Sequence, residues 1–459
     1  MTVVLDSNVV LQARALGHDY PSHSPRTDLS PIGCSPPIRR NTCVRFQHRH
    51  ITSPQQNEML TFAANETVSS IEHRLKQLKD GSDVEELHVT PNIREFNPGA
   101  EVALFQLLLT WAAFSTSKTV RSQVPRGVDS ESFLLNLVEC DYALVALMGA
   151  KAVKNASDAD ISLPAARIAQ NELSKDRPPF SAHDRAHSAS LIVGHASLAP
   201  ASYAPYLDLA TKGERAQRCQ VFGRHLNHRL HAFYGATSSV PLFGRTSDLP
   251  SILYELFANA EEWGCTNLRN EPVKLPLRGI LLRIHKVPSQ TVTLDDPLST
   301  FIGHLVADPE CRYALEVSVF DSGVGLAQRH LREVITTTHP IDREFEAIKS
   351  CLAKHTSSSG SSSRGLGLHH VMDLTSRMKG FLRLRTGNLH LCRNFRKDPY
   401  FFAETRQEEK IVRGKMLEGF QFLTDWENAS QTTATAQPYV KGAVFTLILP
   451  MREAQPTLL

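Results

Sequence analysis

Glu255 and Asn259 stand one helical turn apart, and with Glu262 they fall at i, i+4 and i+7 on the polar face of a segment whose other face is Ile252, Leu253, Leu256, Phe257 and Ala260. An amide oxygen suits a hard Mg2+, which takes oxygen ligands and keeps several waters. The carboxylate one turn away is then placed to take a proton from an attacking water or hydroxyl. Further on, Asp321-Ser322-Gly323-Val324-Gly325 follows a strand-like run. A carboxylate at a strand end can accept a hydrogen bond from an exocyclic amine such as that of adenine, and glycines let backbone approach a flat ring closely. A third box, Arg364-Gly365-Leu366-Gly367-Leu368, follows the serine/glycine tract Ser357–Ser363 and opens a helix over 369–378. Backbone N–H groups at the positive end of a helix make a phosphate site, to which Arg364 would add a charge. Each box also has a plainer reading: an amphipathic helix, a turn, and a linker before a helix cap.

The elements that must position these boxes are legible around them. Asp248 followed by Pro250 is a helix start. Arg278–Lys286 and Arg312–Phe320 read as paired strands, the second alternating Leu315, Val317 and Val319 on one side. Lys379-Gly380 stops the helix after the third box, Phe381–Arg385 resumes a strand, and Gly442–Pro450 reads as a final buried strand. Upstream, the spacing predicts a helix within 57–79, a strand at Leu87–Val89, an apolar helix at Ala100–Phe114, a strand at Thr119–Val124, and helices at Ser132–Val138 and Tyr142–Met148. That order implies a small α/β domain over 55–155. Residues 156–247 read as a connecting helical region with a strand near Ser190–Val193 and a basic helix over Arg215–Tyr234, whose cations suit a solvated surface. Neither His183 nor His225 has the flanking residues of a phospho-accepting histidine.

Composition sets wider limits. The chain has 459 residues, 41% of them hydrophobic and 21% charged, enough for two or three globular domains. Its net charge of +3 calls for neither nucleic acid nor an anionic membrane. The excess sits in residues 1–50, with six arginines against three aspartates, leaving 44 against 44 in the rest. Five prolines between Pro21 and Pro37 mark residues 1–54 as a disordered Pro/Arg-rich arm. The longest apolar run, Val102–Phe114, is interrupted by Gln106 and Thr110 and is too short to span a bilayer. Eight cysteines without a C-x-x-C pair or metal-ligand spacing read as reduced thiols, so a cytoplasmic protein is expected.

Taken in order, the helix with Glu255 and Asn259, the Asp321-x-Gly-x-Gly after a strand, the Gly365-Leu-Gly-Leu opening a helix and the closing strand resemble the GHKL ATP-binding fold. That fold is shared by gyrase-type ATPases, the large heat-shock chaperones, mismatch-repair ATPases and histidine kinases. The resemblance covers 248–453. It implies an α/β chain, an α+β sandwich whose C-terminal domain has a mixed sheet with helices on one face. It implies ATP and Mg2+ as cofactors, with Asn259 on the metal, Asp321 on the adenine amine, and Gly323 and Gly325 beside the adenine pocket. Arg364, Gly365, Leu366, Gly367 and Leu368 would then meet the phosphates, and 327–363 would form a lid. Glu255 would be the general base. Histidine kinases commonly carry Asn there, whereas hydrolysing members and the serine kinases of the anti-sigma type carry Glu. The pattern Glu-Leu-x-x-Asn-Ala-x-Glu-x-Gly over 255–264 is similar to that anti-sigma group, with Trp263 where a histidine is usual.

Departures accompany the likeness. Ala443 stands where many members have Thr, so a hydrogen bond near the adenine pocket is expected to be missing. The spacing between boxes implies insertions near 287–311 and 388–438, the second rich in aromatics that read as local core. Residues 55–155 resemble STAS-like domains in element order, with no motif behind the likeness. The expected activity is a slow Mg-dependent ATPase whose lid closure regulates a protein partner or the N-terminal region. Phosphotransfer to Ser, Thr or His, and a non-hydrolysing interaction module, are the alternatives. Members of this fold often work as dimers, so a homodimer is among the implied assemblies.

Overall fold

Period-two alternation, chiefly in the C-terminal half, builds a seven-stranded sheet. Its strands are β5 (Ser188–Val193), β6 (Arg278–Lys286), β7 (Cys311–Asp321), β8 (Phe381–Gly387), β9 (Leu389–Asn394), β10 (Thr424–Asp425) and β11 (Val440–Arg452), in the order β10-β9-β8-β11-β7-β6-β5. This computed structural model describes residues 60–62, 66–79, 86–89, 96–122, 128–175, 188–194, 199, 203, 219–224, 248–289, 296–352, 367–399, 423–430 and 432–452. The expected arm over 1–54 lies outside them, as do His183 and His225. Every pairing in the seven-stranded sheet is antiparallel, which corrects the expectation of a mixed sheet. The physical reason is connectivity: β8 returns directly as β9 through a tight turn at Gly387 and Asn388, and β7 runs back beside β6.

Alternation also decides which side chains face which layer. Leu315, Val317 and Val319 of β7, Leu382 and Leu384 of β8, and Phe445, Leu447 and Leu449 of β11 join one core with α7 (Asp248–Trp263), α10 (Ile341–Leu352) and α11 (Gly367–Arg377). The opposite face is not open. Its apolar residues Phe320 and Val444 pack into a second core with α2 (Ala100–Phe114), and Ala314, Phe381 and Ile448 pack with α8 (Pro297–Val306). Helices therefore lie on both faces, correcting the expectation of one. α8 is the helix of the expected 287–311 insertion, started by Asp296, whose side chain accepts from the Ser299 N–H at 2.9 Å.

The N-terminal part contributes a four-stranded parallel sheet, β1 (Leu60–Thr61), β2 (Glu86–Val89), β3 (Thr119–Ser122) and β4 (Ala152–Lys154), in sequential order. α1 (Val68–Lys79) is shorter than the helix expected within 57–79, because Leu60 and Thr61 pair with β2 instead. The helices α3 (Ser130–Leu137), α4 (Asp141–Gly149) and α5 (Ser162–Ser174) complete this half. α2 carries apolar residues on every side, and its residues from Ala100 to Trp111 are all buried, Glu101, Gln106 and Thr110 among them. Its core includes Leu87 and Val120 of the parallel sheet together with Phe320 and Val444 of the antiparallel one, so α2 lies between the two sheets. Residues Gln55–Leu459 form one compact unit.

Two parts of the 156–247 stretch belong to these layers: α5 adds Ala165, Ile168 and Ala169 to the α2 core, and β5 is the edge strand beside β6. Of the basic helix expected at 215–234, the described part is α6 (219–224). Among the described residues, no single helix is long and apolar enough to cross a membrane, and α3 with α4 reaches that length only across a 115° bend.

Candidate functional site

α7 is the element on which the site hangs. Ile252, Leu253, Leu256, Phe257 and Ala260 are buried at helical spacing, which turns Glu255 and Asn259 to the half-buried opposite side. Glu261 pairs with the buried guanidinium of Arg278, which also donates to the Gly194 carbonyl at 2.6 Å, so α7 is pinned to β6 beside β5. Asn259 Nδ2 donates to the Glu255 carbonyl at 2.7 Å, which leaves Oδ1 as the amide atom available to a hard cation.

α7 touches the other two boxes directly. At the start of α11, Gly367 lies so close to Glu255 that a Cβ on it would collide with the carboxylate oxygen Oε2. The general-base candidate therefore sits at the helix N-terminus of the third box. At its other end α7 stops at Trp263, and Gly264 packs on the Asp321 side chain, where a Cβ would overlap Asp321 Cβ. A Cβ on Gly323 would stand 2.8 Å from Gly264 Cα. Two glycines from distant segments thus let the backbone after α7 and the backbone after β7 meet.

Asp321 closes β7 on the same face as Val317 and Val319, toward the α7 layer. Its Oδ1 accepts from the Gly323 N–H at 2.8 Å, and the Ala443 N–H is a second donor. Burial pushes this carboxyl up to about 6, against the opposing pull of those two hydrogen bonds and of the Lys441 and Arg329 charges. Ala443 is opposite Asp321 in the ladder and opposite Thr386 on its other side.

That register bears on the missing threonine. Thr386 supplies a hydroxyl next to Ala443: its Oγ1 donates to the Gly442 carbonyl at 3.1 Å, receives the Leu326 N–H at 3.3 Å, and would stand 2.7 Å from a Cβ on Gly325. Arg329, on α9 (Leu326–Leu331), reaches the turn after α7. Its Nη2 donates to the Thr266 carbonyl at 2.9 Å and hydroxyl at 2.8 Å, Nη1 donates to Asn270 at 3.0 Å, and the guanidinium lies 5.2 Å from the Trp263 ring centre. Thr386 and Arg329 border the site without belonging to any of the boxes. Their only sequence signal was their place beside strand ends and the Gly325 turn.

Some expected residues lie elsewhere or outside the description. Arg364, Gly365 and Leu366 are outside the described residues, as is 353–363 of the expected lid. Leu368 buries its side chain in the α7–α11 core, so that side chain is not offered to a ligand. The described part of the expected lid is packed structure: Phe345, Ala347, Ile348 and Leu352 of α10 are core residues, and Glu344 accepts from Asn388 N at 2.9 Å and Nδ2 at 3.0 Å. In the 388–438 stretch, Phe395 and Trp426 are buried, Trp426 stacking on His390 with ring centres 4.1 Å apart. The remaining aromatics there fall outside the described residues.

Comparison of the chain with protein-family models, with curated proteins and with solved structures finds no match.

Proposed function

We propose that the protein binds Mg·ATP between α7, the 321–325 turn and the start of α11, as a GHKL-type ATP-binding domain, and hydrolyses it slowly. The observation that carries this reading is the contact of Glu255 with Gly367, which puts a carboxylate at the N-terminus of a helix whose first N–H groups suit phosphate. The donor set fits the ligands. Asn259 offers an amide oxygen of the kind Mg2+ takes, and Asp321 is a desolvated carboxylate beside closely approaching glycine backbone, suited to an exocyclic amine and a flat ring. The antiparallel sheet departs from the expected mixed one, so the reading rests on the three boxes and their contacts. The STAS-like likeness of 55–155 carries no part of it.

When bound, Mg2+ would supply charge neutralisation on the phosphate oxygens, with Asn259 holding it. Glu255 accepts a proton from the water whose oxygen bonds to the γ-phosphorus, while the bond from that phosphorus to the ADP oxygen breaks and its electron pair leaves with ADP. Asp321 orients the base of the nucleotide. Replacing Glu255 by Gln is expected to lower ATP turnover about a hundredfold or more while ATP affinity persists. Asp321→Asn is expected to weaken ATP binding about tenfold or more. Following labelled γ-phosphate to water or to protein separates hydrolysis from phosphotransfer, and absence of ATP binding by the unaltered chain would sink the reading.

A further inference from the structure

A cavity lies where α2, the β3 entry, the end of α4, the 267–275 turn and the start of β11 converge. Its volume is about 640 Å3, a size typical of small-molecule sites. Lys118, Lys151, Lys274 and Lys441 line it, and no aspartate or glutamate does. None of these four ammonium groups forms an ion pair with another described residue, although other lysines of the chain do, among them Lys154 with Asp158. Four lysines and no carboxylate around one cavity favour an anion placed among them.

Main-chain hydrogen bonds anchor three of these lysines at the rim, Lys118, Lys151 and Lys441. Lys118 has φ 48°, a left-handed conformation that an L side chain adopts at a cost, and its carbonyl accepts the Lys151 N–H at 2.8 Å. One residue in the left-handed region thus ties the backbones of two of the lysines together on the same rim. Lys441 is half-buried, its N–H donating to Thr110 Oγ1 at 3.0 Å on α2. Burial holds its ammonium below the usual lysine range despite the nearby Asp321.

The rest of the wall is apolar, with Leu109, Met148 and Leu275 facing the space. Met148, Lys274 and Leu275 also line a smaller adjoining cavity of about 280 Å3. A bare inorganic anion would leave that apolar wall unused. We propose that this cavity is a binding site for a small organic phosphate, an apolar body carrying at least two negative charges, separate from the nucleotide site proposed above. Ser322 lines the cavity and directly follows Asp321, so an anion held there lies behind the 321–325 turn.

The test is calorimetric titration of the full chain with 1-naphthyl phosphate, 1-naphthol and inorganic phosphate. The phosphate ester is expected to bind at one site about tenfold or more tightly than either fragment. Lys151 and Lys274 are exposed, so the double variant Lys151→Gln/Lys274→Gln is expected to keep the wild-type melting temperature and to weaken the ester about tenfold or more. Glu255→Gln, which disables the proposed hydrolysis, is expected to leave this affinity unchanged. Equal ester affinity in the wild type and the double lysine variant overturns the proposal, as does naphthol binding as tightly as its ester, whatever the outcome with ATP.

Discussion

Asp321 shows how one side chain links the fold to its candidate chemistry. Its carboxyl, normally near 3.8, is pushed up to about 6 by burial, so between about pH 4 and 6 the folded chain holds a proton that the unfolded chain has lost. Stability from this group therefore falls as pH rises through that window. Glu101, buried beside Arg283 and pushed up to about 7, acts with the same sign. Urea unfolding of Asp321→Asn against wild type should show the variant gaining about 1–3 kcal/mol relative to wild type at pH 7, with the difference vanishing near pH 4. ATP affinity of the wild type should fall on acidification below about pH 6, as the carboxylate that would face the exocyclic amine becomes protonated. Gly367 allows a second test. Because a Cβ there meets Glu255 Oε2, Gly367→Ala should displace that carboxylate and lower turnover about tenfold or more, with a smaller effect on the melting temperature. Glu255, Asn259 and Asp321 were legible because helical spacing and a strand end are local patterns. Thr386 and Arg329 were not: Thr386 meets Leu326 from a strand 60 residues away, and Arg329 meets Thr266 across 63 residues.

At the scale of elements, the junction between α1 and β8 shows what periodicity can and cannot convey. Alternation in β8 is plain, with Leu382 and Leu384 between Arg383 and Arg385, and such a strand would ordinarily turn its arginines to water. Here both are fully buried. Glu72 on α1 receives Arg383 Nη2 at 2.9 Å and Arg385 Nε at 3.1 Å, from more than 300 positions later in the chain. A second polar contact crosses the same interface, Glu316 on β7 accepting from the Gly99 N–H at 3.0 Å and meeting His285 Nε2 at 2.7 Å. Only the position of α1 and α2 over the sheet reveals these partners, which no local pattern encodes. Removing Glu72 leaves two buried guanidinium groups short of a counter-charge, so Glu72→Ala should destabilise the protein by about 3–5 kcal/mol in denaturant unfolding. A double change of both arginines to Met, which removes the charges as well, should cost less than Glu72→Ala alone, and the reverse order would contradict this account of the cluster.

At the scale of the molecule, the two halves share a core. The sequence pattern marks an α/β segment and a sheet-forming segment as separate stretches, and the one hint of their union is α2, which carries apolar residues on every side. A helix of that kind needs cover all round, and here the two sheets provide it. A fragment beginning at residue 248 would bare Phe320 and Val444 and lose β5 from the sheet edge. It should therefore bind a hydrophobic dye and melt without a sharp transition, whereas a fragment melting as sharply as the full chain would show that the halves fold independently. The central claim concerns the α7 site, and the most direct measurement is steady-state Mg·ATP hydrolysis by the full chain and by Glu255→Gln, with ATP affinity determined on both. The account predicts measurable turnover in the wild type, a loss of about a hundredfold or more in the variant, and ATP binding retained by both. Equal turnover in the two proteins, or no ATP binding by the wild type, would contradict it.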